Sequence, residues 1–220
     1  MSREVRAAVF LPDDGRLDDA VELLESLGAT PVPDPMLEIV PTGERPPAAD
    51  FVVLTASTGV ALLADAGWEP GEATLCCIGP STAEAAREAG WTVDRIPDEY
   101  NSAGMVEALE DDVAGAHVVV ARSDHGSATM LDGLRAAGAD VTETVLYRLR
   151  RPEESGQSAA MAAAGDLEAV LFTSSRTVSG FLDAAAERGV REEAIAGLEH
   201  AVVGAIADAP AETARKEGIT

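Results

Sequence analysis

The chain has 220 residues and is 46% hydrophobic but only 4% aromatic, so a core has to be built mainly from Ala, Val, Leu and Ile, in one large domain or two small ones. Acidic residues outnumber basic ones, 39 to 16, for a net charge of −23; with no basic stripe to neutralise phosphates, nucleic-acid binding is disfavoured. No apolar run approaches the roughly 20 residues of a membrane helix, and no secretory apolar segment follows the opening MSREVRAAVFLP, so cytoplasmic residence is expected.

Residues 5–11 read as a buried strand, and 16–27 as a helix with Leu17, Val21, Leu24 and Leu27 on one stripe and Gly28 as its stop. The apolar run 51–54 predicts a strand, followed by Thr55-Ala56-Ser57-Thr58 and a helix. Residues 75–78 predict another, followed by Gly79-Pro80-Ser81-Thr82 and an Ala-rich helix ending at Gly90. Further strands are expected at 91–96, 117–121 and 139–149, with helices at 102–110 and 128–137 between them. A strand at 169–172 leads into Thr173-Ser174-Ser175, and a strand at 201–203 and a helix at 209–217 close the chain. Strands alternating with helices predict parallel sheets covered on both faces. Adjacent Cys76 and Cys77 would point to opposite faces of a strand, which disfavours a disulfide between them and predicts small apolar strand residues.

An internal repeat suggests two similar lobes. The segment 50–57, DFVVLTAS, resembles 168–175, EAVLFTSS, and 81–90 resembles 209–218. Two stretches read as connectors: the proline-rich 31–47 around Met36-Leu37-Glu38-Ile39-Val40, and the polar-alternating 145–152. The expected division is residues 1–35 plus 150–220 as one discontinuous lobe, 41–147 as the other, and 36–40 and 145–152 as connectors.

Ligands of open parallel sheets bind beyond the carboxyl ends of the strands. Here those ends carry small and hydroxyl residues that start helices: Thr55, Ser57 and Thr58; Gly79, Ser81 and Thr82; Asn101 and Ser102; Thr173, Ser174 and Ser175. Helix N-termini present unpaired backbone N–H groups and a positive dipole end, so several together suit a ligand with many carboxylates. The alternative is that each residue only caps its own helix. There is no G-x-G-x-x-G after the first strand and no phosphate-binding G-x-x-x-x-G-K-[ST] loop. His117, His125 and His200 lack ligand spacing, so no metal is expected. Ser123-Asp124-His125 holds triad residue types, although neighbours in sequence rarely form a triad. Tyr147, in the second connector, reads either as a weak acid or as a packing aromatic at a hinge; Tyr100 is expected to pack under the loop before Asn101.

In their order and spacing, the segments 50–58, 78–83, 145–147, 170–175 and 211–215 resemble the uroporphyrinogen-III synthase family over nearly the whole chain. The resemblance implies two flavodoxin-like, doubly wound α/β lobes joined by a two-stranded connector, with an active site between them. It implies a cofactor-free, metal-free lyase that closes hydroxymethylbilane, a linear tetrapyrrole with eight carboxylates, with inversion of ring D. Tyr147 then falls where the family places its favoured acid. The implied protein is a monomer that takes a polycarboxylate tetrapyrrole as substrate and contacts hydroxymethylbilane synthase transiently. The chain departs from the family pattern where Ala207-Asp208-Ala209-Pro210 replaces a second Gly-Pro-x-Thr turn. It departs again where Thr58-Gly59 follow Ser57 in place of a frequent Arg. It also stops at Gly218-Ile219-Thr220, where the family pattern would continue into a last strand and helix. A non-catalytic two-lobed anion-binding or sensor module, a flavodoxin-like transferase and an inactive synthase paralogue are the competing readings. Fifteen Arg and a single Lys (Lys216) among the sixteen basic residues, beside the strong acidity, fit a surface adapted to high salt.

Overall fold

A computed structural model describes residues 4–12 and 15–219. In chain order the elements are β1 (Arg6–Val9), α1 (Gly15–Ser26), β2 (Thr30–Pro33), β3 (Glu38–Pro41), β4 (Phe51–Leu54), α2 (Ser57–Asp65), β5 (Thr74–Cys77), α3 (Pro80–Glu88), α4 (Ser102–Leu109), β6 (His117–Ser123), α5 (Ala128–Ala136), β7 (Asp140–Arg150), α6 (Gln157–Ala163), β8 (Ala169–Phe172), α7 (Ser175–Glu187), α8 (Arg191–Leu198), β9 (Val202–Ala205) and α9 (Asp208–Lys216). They form two compact units, Met1–Ile39 with Arg150–Thr220, and Val40–Leu149, and the chain passes from one to the other within β3 and at the end of β7. Among the described residues no helix is long and apolar enough to cross a membrane.

The first unit is built on a four-stranded sheet in the order β2-β1-β8-β9, with every pairing parallel. Ala7, Ala8 and Val9 are all buried in succession. A strand buried at consecutive residues is covered on both faces, as parallel sheets with crossover helices require. Three of the four phenylalanines pack in this core: the ring centres of Phe10 and Phe172 lie 5.1 Å apart, and Phe181 approaches them at 5.7 and 5.9 Å. The remaining volume is filled by Ala, Val, Leu and Ile, as the composition requires.

The second unit carries the order β3-β7-β6-β4-β5, with β4–β5, β4–β6 and β6–β7 parallel. Val52, Val53 and Leu54 are buried in succession, and so are Leu75, Cys76 and Cys77, so both faces are covered here too. Both cysteines are free, as their alternation across the sheet predicts. The sequence repeat has a structural counterpart. Phe51 pairs with Thr74 in β4–β5, and Ala169 pairs with Val202 in β8–β9. Each repeat therefore runs from an inner strand through a helix to an edge strand, in the same register. The second copy is longer because α8 is inserted between α7 and β9.

Several local readings change in three dimensions. Residues 91–96 form no strand; the segment touches β5 through a single bridge, Arg95 to Cys76. Trp91 turns edge-on to Trp68 at 5.3 Å instead, and the Asp94 carboxylate accepts from the Leu75 amide at 2.8 Å, which ends the pairing. The proline-rich stretch begins as β2, an edge strand, where prolines cost little because one side of the strand has no partner. Leu27 lies past the end of α1 and is 74% exposed, so the apolar stripe stops at Leu24. Helices α6 and α8 lack an amphipathic signal because their packing uses Ala and Gly. A Cβ on Gly197 would stand 1.8 Å from the Ala162 carbonyl oxygen, so only glycine permits that approach.

Candidate functional site

The carboxyl ends of the strands in the second unit bring together residues that lie far apart in the chain. Tyr147 is only 6% exposed, and its phenol is influenced by the hydroxyl side chains of Ser123 and Thr58. Burial raises the pKa of its phenol above the ordinary 10, and the nearby Asp124 adds to that, while the hydroxyls of Ser123 and Thr58 pull it back in part. Tyr147 is therefore a neutral, protonated phenol at physiological pH.

A bulge sets this cluster. Along β6 and β7 the register runs Arg122 to Val145 and then Ser123 to Tyr147, passing over Leu146. An extra residue on one strand re-aims the side chains beyond it. Past the bulge, the Asp124 amide donates to the Tyr147 carbonyl at 3.2 Å, and the Leu149 amide donates to the Asp124 carboxylate at 3.1 Å. Underneath, Arg122 is buried; its Nε donates to Glu143 at 2.7 Å and its Nη1 to the carbonyl of Ser127. Gly126 crosses so close above the guanidinium that a Cβ there would stand 2.5 Å from it. His125 pairs with Asp124 at 2.7 Å, but no hydrogen bond joins Ser123 to His125 among the described residues, so these three neighbours make no Ser-His-Asp relay. Among the described residues no group of three or more His, Cys, Asp or Glu could hold a metal.

The helix ends divide into two kinds. Asn101 caps α4, its Oδ1 accepting from the Gly104 amide at 2.9 Å, with Ser102 as the first helical residue. Ser174 caps α7 in a capping box with Thr177, and Ser175, the next residue, is bonded to Thr213 at 2.9 Å. Thr173, the residue after β8, is half-buried. By contrast, the N-cap of α2 is Ala56 and that of α3 is Gly79, and neither supplies a side-chain oxygen. The amides of Ser57 and Thr58 in α2, beside Thr55, and of Ser81 and Thr82 in α3, whose first residue Pro80 has no N–H, thus lack the side-chain acceptor a cap would give. Thr82 is buried, and Tyr100, contrary to its expected place under the loop, is 63% exposed and lies over Gly79. The N-cap of α9, Ala207, is also without a side-chain bond, but Asp208 in the first turn places a carboxylate at the positive end of the dipole.

A cavity of about 620 Å³ opens in the first unit beside Asp34, whose carboxylate accepts from the amides of Gly156 at 2.7 Å and Ser158 at 2.8 Å. Glu38, Glu153 and Glu154 line it, and that charge repels a polycarboxylate.

The family model for uroporphyrinogen-III synthase HemD matches residues 18–220. The chain belongs to the uroporphyrinogen-III synthase family. It is accordingly an enzyme of the cyclising-lyase class. A relative from Methanothermobacter thermautotrophicus, described as a putative uroporphyrinogen-III synthase, is 30% identical over 230 residues, covering 97% of this chain and 90% of that protein. The fold is similar to a crystal structure of a mutant uroporphyrinogen III synthase from the extremely thermophilic bacterium Thermus thermophilus, with a TM-score of 0.64 and 20% identity over 98% of this chain and 90% of that one. It is also similar to uroporphyrinogen-III synthetase from Helicobacter pylori 26695, with a TM-score of 0.62 and 12% identity over 99% and 90%. Tyr147 was singled out through the resemblance. Ser123 and Gly59 carried no local signal for their places beside it, because one is set by the bulge and the other by close packing against Leu146.

Proposed function

We propose that the chain catalyses the full synthase reaction: cyclisation of hydroxymethylbilane with loss of water and inversion of ring D, in the biosynthesis of haem, sirohaem and cobalamin. The observation that carries this is the buried, protonated Tyr147 phenol beside α2, where Gly59 meets Leu146, and the N-cap of that helix offers no side-chain acceptor. The open amides at α2 and α3 bind substrate carboxylates, and Thr55, Ser57, Thr58, Gly79, Ser81 and Thr82 let them approach. Asn101 and Ser102 shape the loop before α4, and Thr173, Ser174 and Ser175 the loop before α7, with the caps of Asn101 and Ser174 already satisfied within the chain.

The chemistry suits such a site. Substrate and product differ by one water, so no electrons are exchanged and the reaction calls for no redox partner. The terminal hydroxyl of the bilane leaves as water once it is protonated, and the pyrrole nitrogen supplies the electron pair that expels it. A protonated phenol is the right kind of acid for that step. The remaining task is to hold the chain so that the substituted carbon of ring D is attacked, which is orientation and differential binding of the transition state. The reading includes a cytoplasmic monomer that meets hydroxymethylbilane synthase transiently.

The test supplies porphobilinogen and a deaminase to the purified chain, oxidises the products and resolves isomers I and III. Isomer III should predominate, and added divalent metal, NAD, flavin or pyridoxal phosphate should change nothing. A product mixture matching the enzyme-free control would overturn the assignment and favour an anion-binding module or an inactive paralogue.

A further inference from the structure

We infer that His125 is a second catalytic residue: its Nε2 takes up the proton that ring D releases at closure, and Asp124 is the positioning residue that orients the imidazole and balances its charge. This rests on the synthase reading and adds to it the base that complements the Tyr147 acid.

The strand order of the second unit sets the place. In β3-β7-β6-β4-β5 the chain leaves β4 toward β5, and leaves β6 in the opposite direction, toward β7. Right-handed crossovers then put the connecting helices α2 and α5 on opposite faces of the sheet. In agreement, α2 packs on α3 and α5 packs on α4. The loops after β4 and β6 therefore part from one another, and open α/β sheets hold ligands in the crevice left at such a reversal. One wall of the crevice is the turn 55–58; the other is the turn after β6, which carries Asp124 and His125. Tyr147 stands on β7, paired with Ser123 at the end of β6. His125 thus belongs to the loop between the strand that bears the acid and the helix start assigned to a substrate carboxylate.

The imidazole is arranged as a base. Its Nδ1 lies 2.7 Å from Asp124 Oδ1. A carboxylate only accepts, so the hydrogen is on Nδ1 and Nε2 keeps its lone pair. Nε2 has no partner among the described residues. The side chain of His125 is 38% exposed and that of Asp124 19%, so a ligand can reach the ring while the carboxylate stays sheltered. The turn that carries them is braced along its length. The Asp124 amide donates to the Tyr147 carbonyl, and the Asp124 carboxylate accepts from the Leu149 amide. The Gly126 amide donates to the Ser123 carbonyl at 3.3 Å, and Arg122 holds the carbonyl of Ser127. A base oriented by a third group that is itself fixed is the arrangement proton abstraction calls for.

The step balances as follows. Tyr147 gives one proton to the terminal hydroxyl of the bilane, which leaves as water. Once ring D is inverted, its unsubstituted α-carbon forms the last carbon–carbon bond. That carbon then holds both the new bond and its original hydrogen. The C–H bond breaks, its electron pair restores the aromatic pyrrole, and the proton goes to Nε2 of His125. The imidazolium so formed faces the Asp124 carboxylate. Its proton returns to the Tyr147 phenolate through solvent, so the enzyme ends as it began.

The experiment uses the full chain in the coupled assay, with porphobilinogen carrying hydrogen or deuterium at its free α-carbon and melting temperatures to confirm folding. Each coupling consumes that position in the earlier rings, so only ring D of the bilane keeps the label. His125→Gln should lower kcat by about tenfold with KM within about twofold, below the usual range for a general base because the proton also leaves when the bilane closes without enzyme. Deuterium should slow His125→Gln more than it slows the unaltered chain, because C–H breaking then limits the rate; a purely structural role would leave that ratio alone. Asp124→Asn keeps an oxygen for the Leu149 amide but removes the charge. It should lower kcat too, and adding it to His125→Gln should cost nothing further, because the carboxylate acts through the imidazole. A normal kcat in His125→Gln, or a slow variant with an unaltered isotope effect, overturns the base and leaves the synthase reading standing. Losses that multiply in the double variant overturn the pairing of His125 with Asp124. An unaltered chain that forms no isomer III removes the reaction and the base together. Should His125→Gln fail to fold, His125→Ala replaces it: recovery of kcat on adding imidazole is expected, and no recovery overturns the proposal.

Discussion

Ala56→Ser separates helix capping from substrate binding in one substitution. Ala56 is the N-cap of α2, with φ −159° and ψ 148°, the extended conformation in which a serine side chain reaches the amides of the first turn. Replacing alanine by a capping residue is worth about 1 kcal/mol. For a protein of this size that corresponds to a rise in Tm of roughly 2–4 °C. The same Oγ would then occupy an amide assigned to a substrate carboxylate. A ligand that must first displace a contact of about 1 kcal/mol binds about fivefold more weakly, so KM should rise about fivefold with kcat nearly unchanged. The internal control is Ala207→Ser, at the N-cap of α9, where the φ of −155° and ψ of 172° are similar but Asp208 already supplies a carboxylate. That variant should gain stability and leave KM alone. The assays are thermal melting and initial rates in the coupled reaction. If Ala56→Ser gains stability with KM unchanged, the N-terminus of α2 is not a substrate carboxylate site, and its missing cap has no functional meaning.

Two further outcomes concern the fold. With a net charge of −23, self-repulsion opposes compaction and salt screens it, so the Tm should rise from low to molar KCl; a flat or falling curve would remove the argument for salt adaptation. Burial pushes the Cys76 thiol up to about 12 and the Cys77 thiol up to about 11, from an ordinary 9.0. A thiol whose folded pKa lies above its unfolded one contributes stability that is complete below pH 9 and fades as pH rises through 11 and 12. Each should cost about 1.4 kcal/mol per pH unit within that window. Denaturant midpoints should therefore fall as pH rises past the ordinary thiol value of 9.0, and Cys76→Ala with Cys77→Ala should flatten the fall; an unaltered slope in the double variant would contradict it.

The parallel α/β architecture could be read from the chain alone because it rests on short-range signals. Continuous apolar runs such as 51–54 and 169–172, each ending in hydroxyl residues before a helix, are what strands buried on both faces look like. The repeat was legible for the same reason, and the register of Phe51 with Thr74 and of Ala169 with Val202 gives it a geometric meaning. Residues 91–96 mark where such signals fail. Their pattern suits a strand, yet only Asp94 and Arg95 hold to β5, through one bridge, while Trp91 turns to Trp68.

The sequence by itself determined where helices could begin and which residue types stood at each beginning. It could not distinguish Asn101, whose Oδ1 serves Gly104, from Thr58, whose helix has no cap, because both lie in polar segments before helices. That distinction depends on which residue occupies the N-cap position, and a shift of one residue reverses it. Tyr147 stood out by its place in the family pattern, but the hydroxyls that influence its phenol, Ser123 and Thr58, lie on β6 and on α2, far away in the chain. Only tertiary structure could join them, since a bulge that passes over Leu146 and a glycine that admits Leu146 are properties of packed elements and leave no periodicity in the sequence.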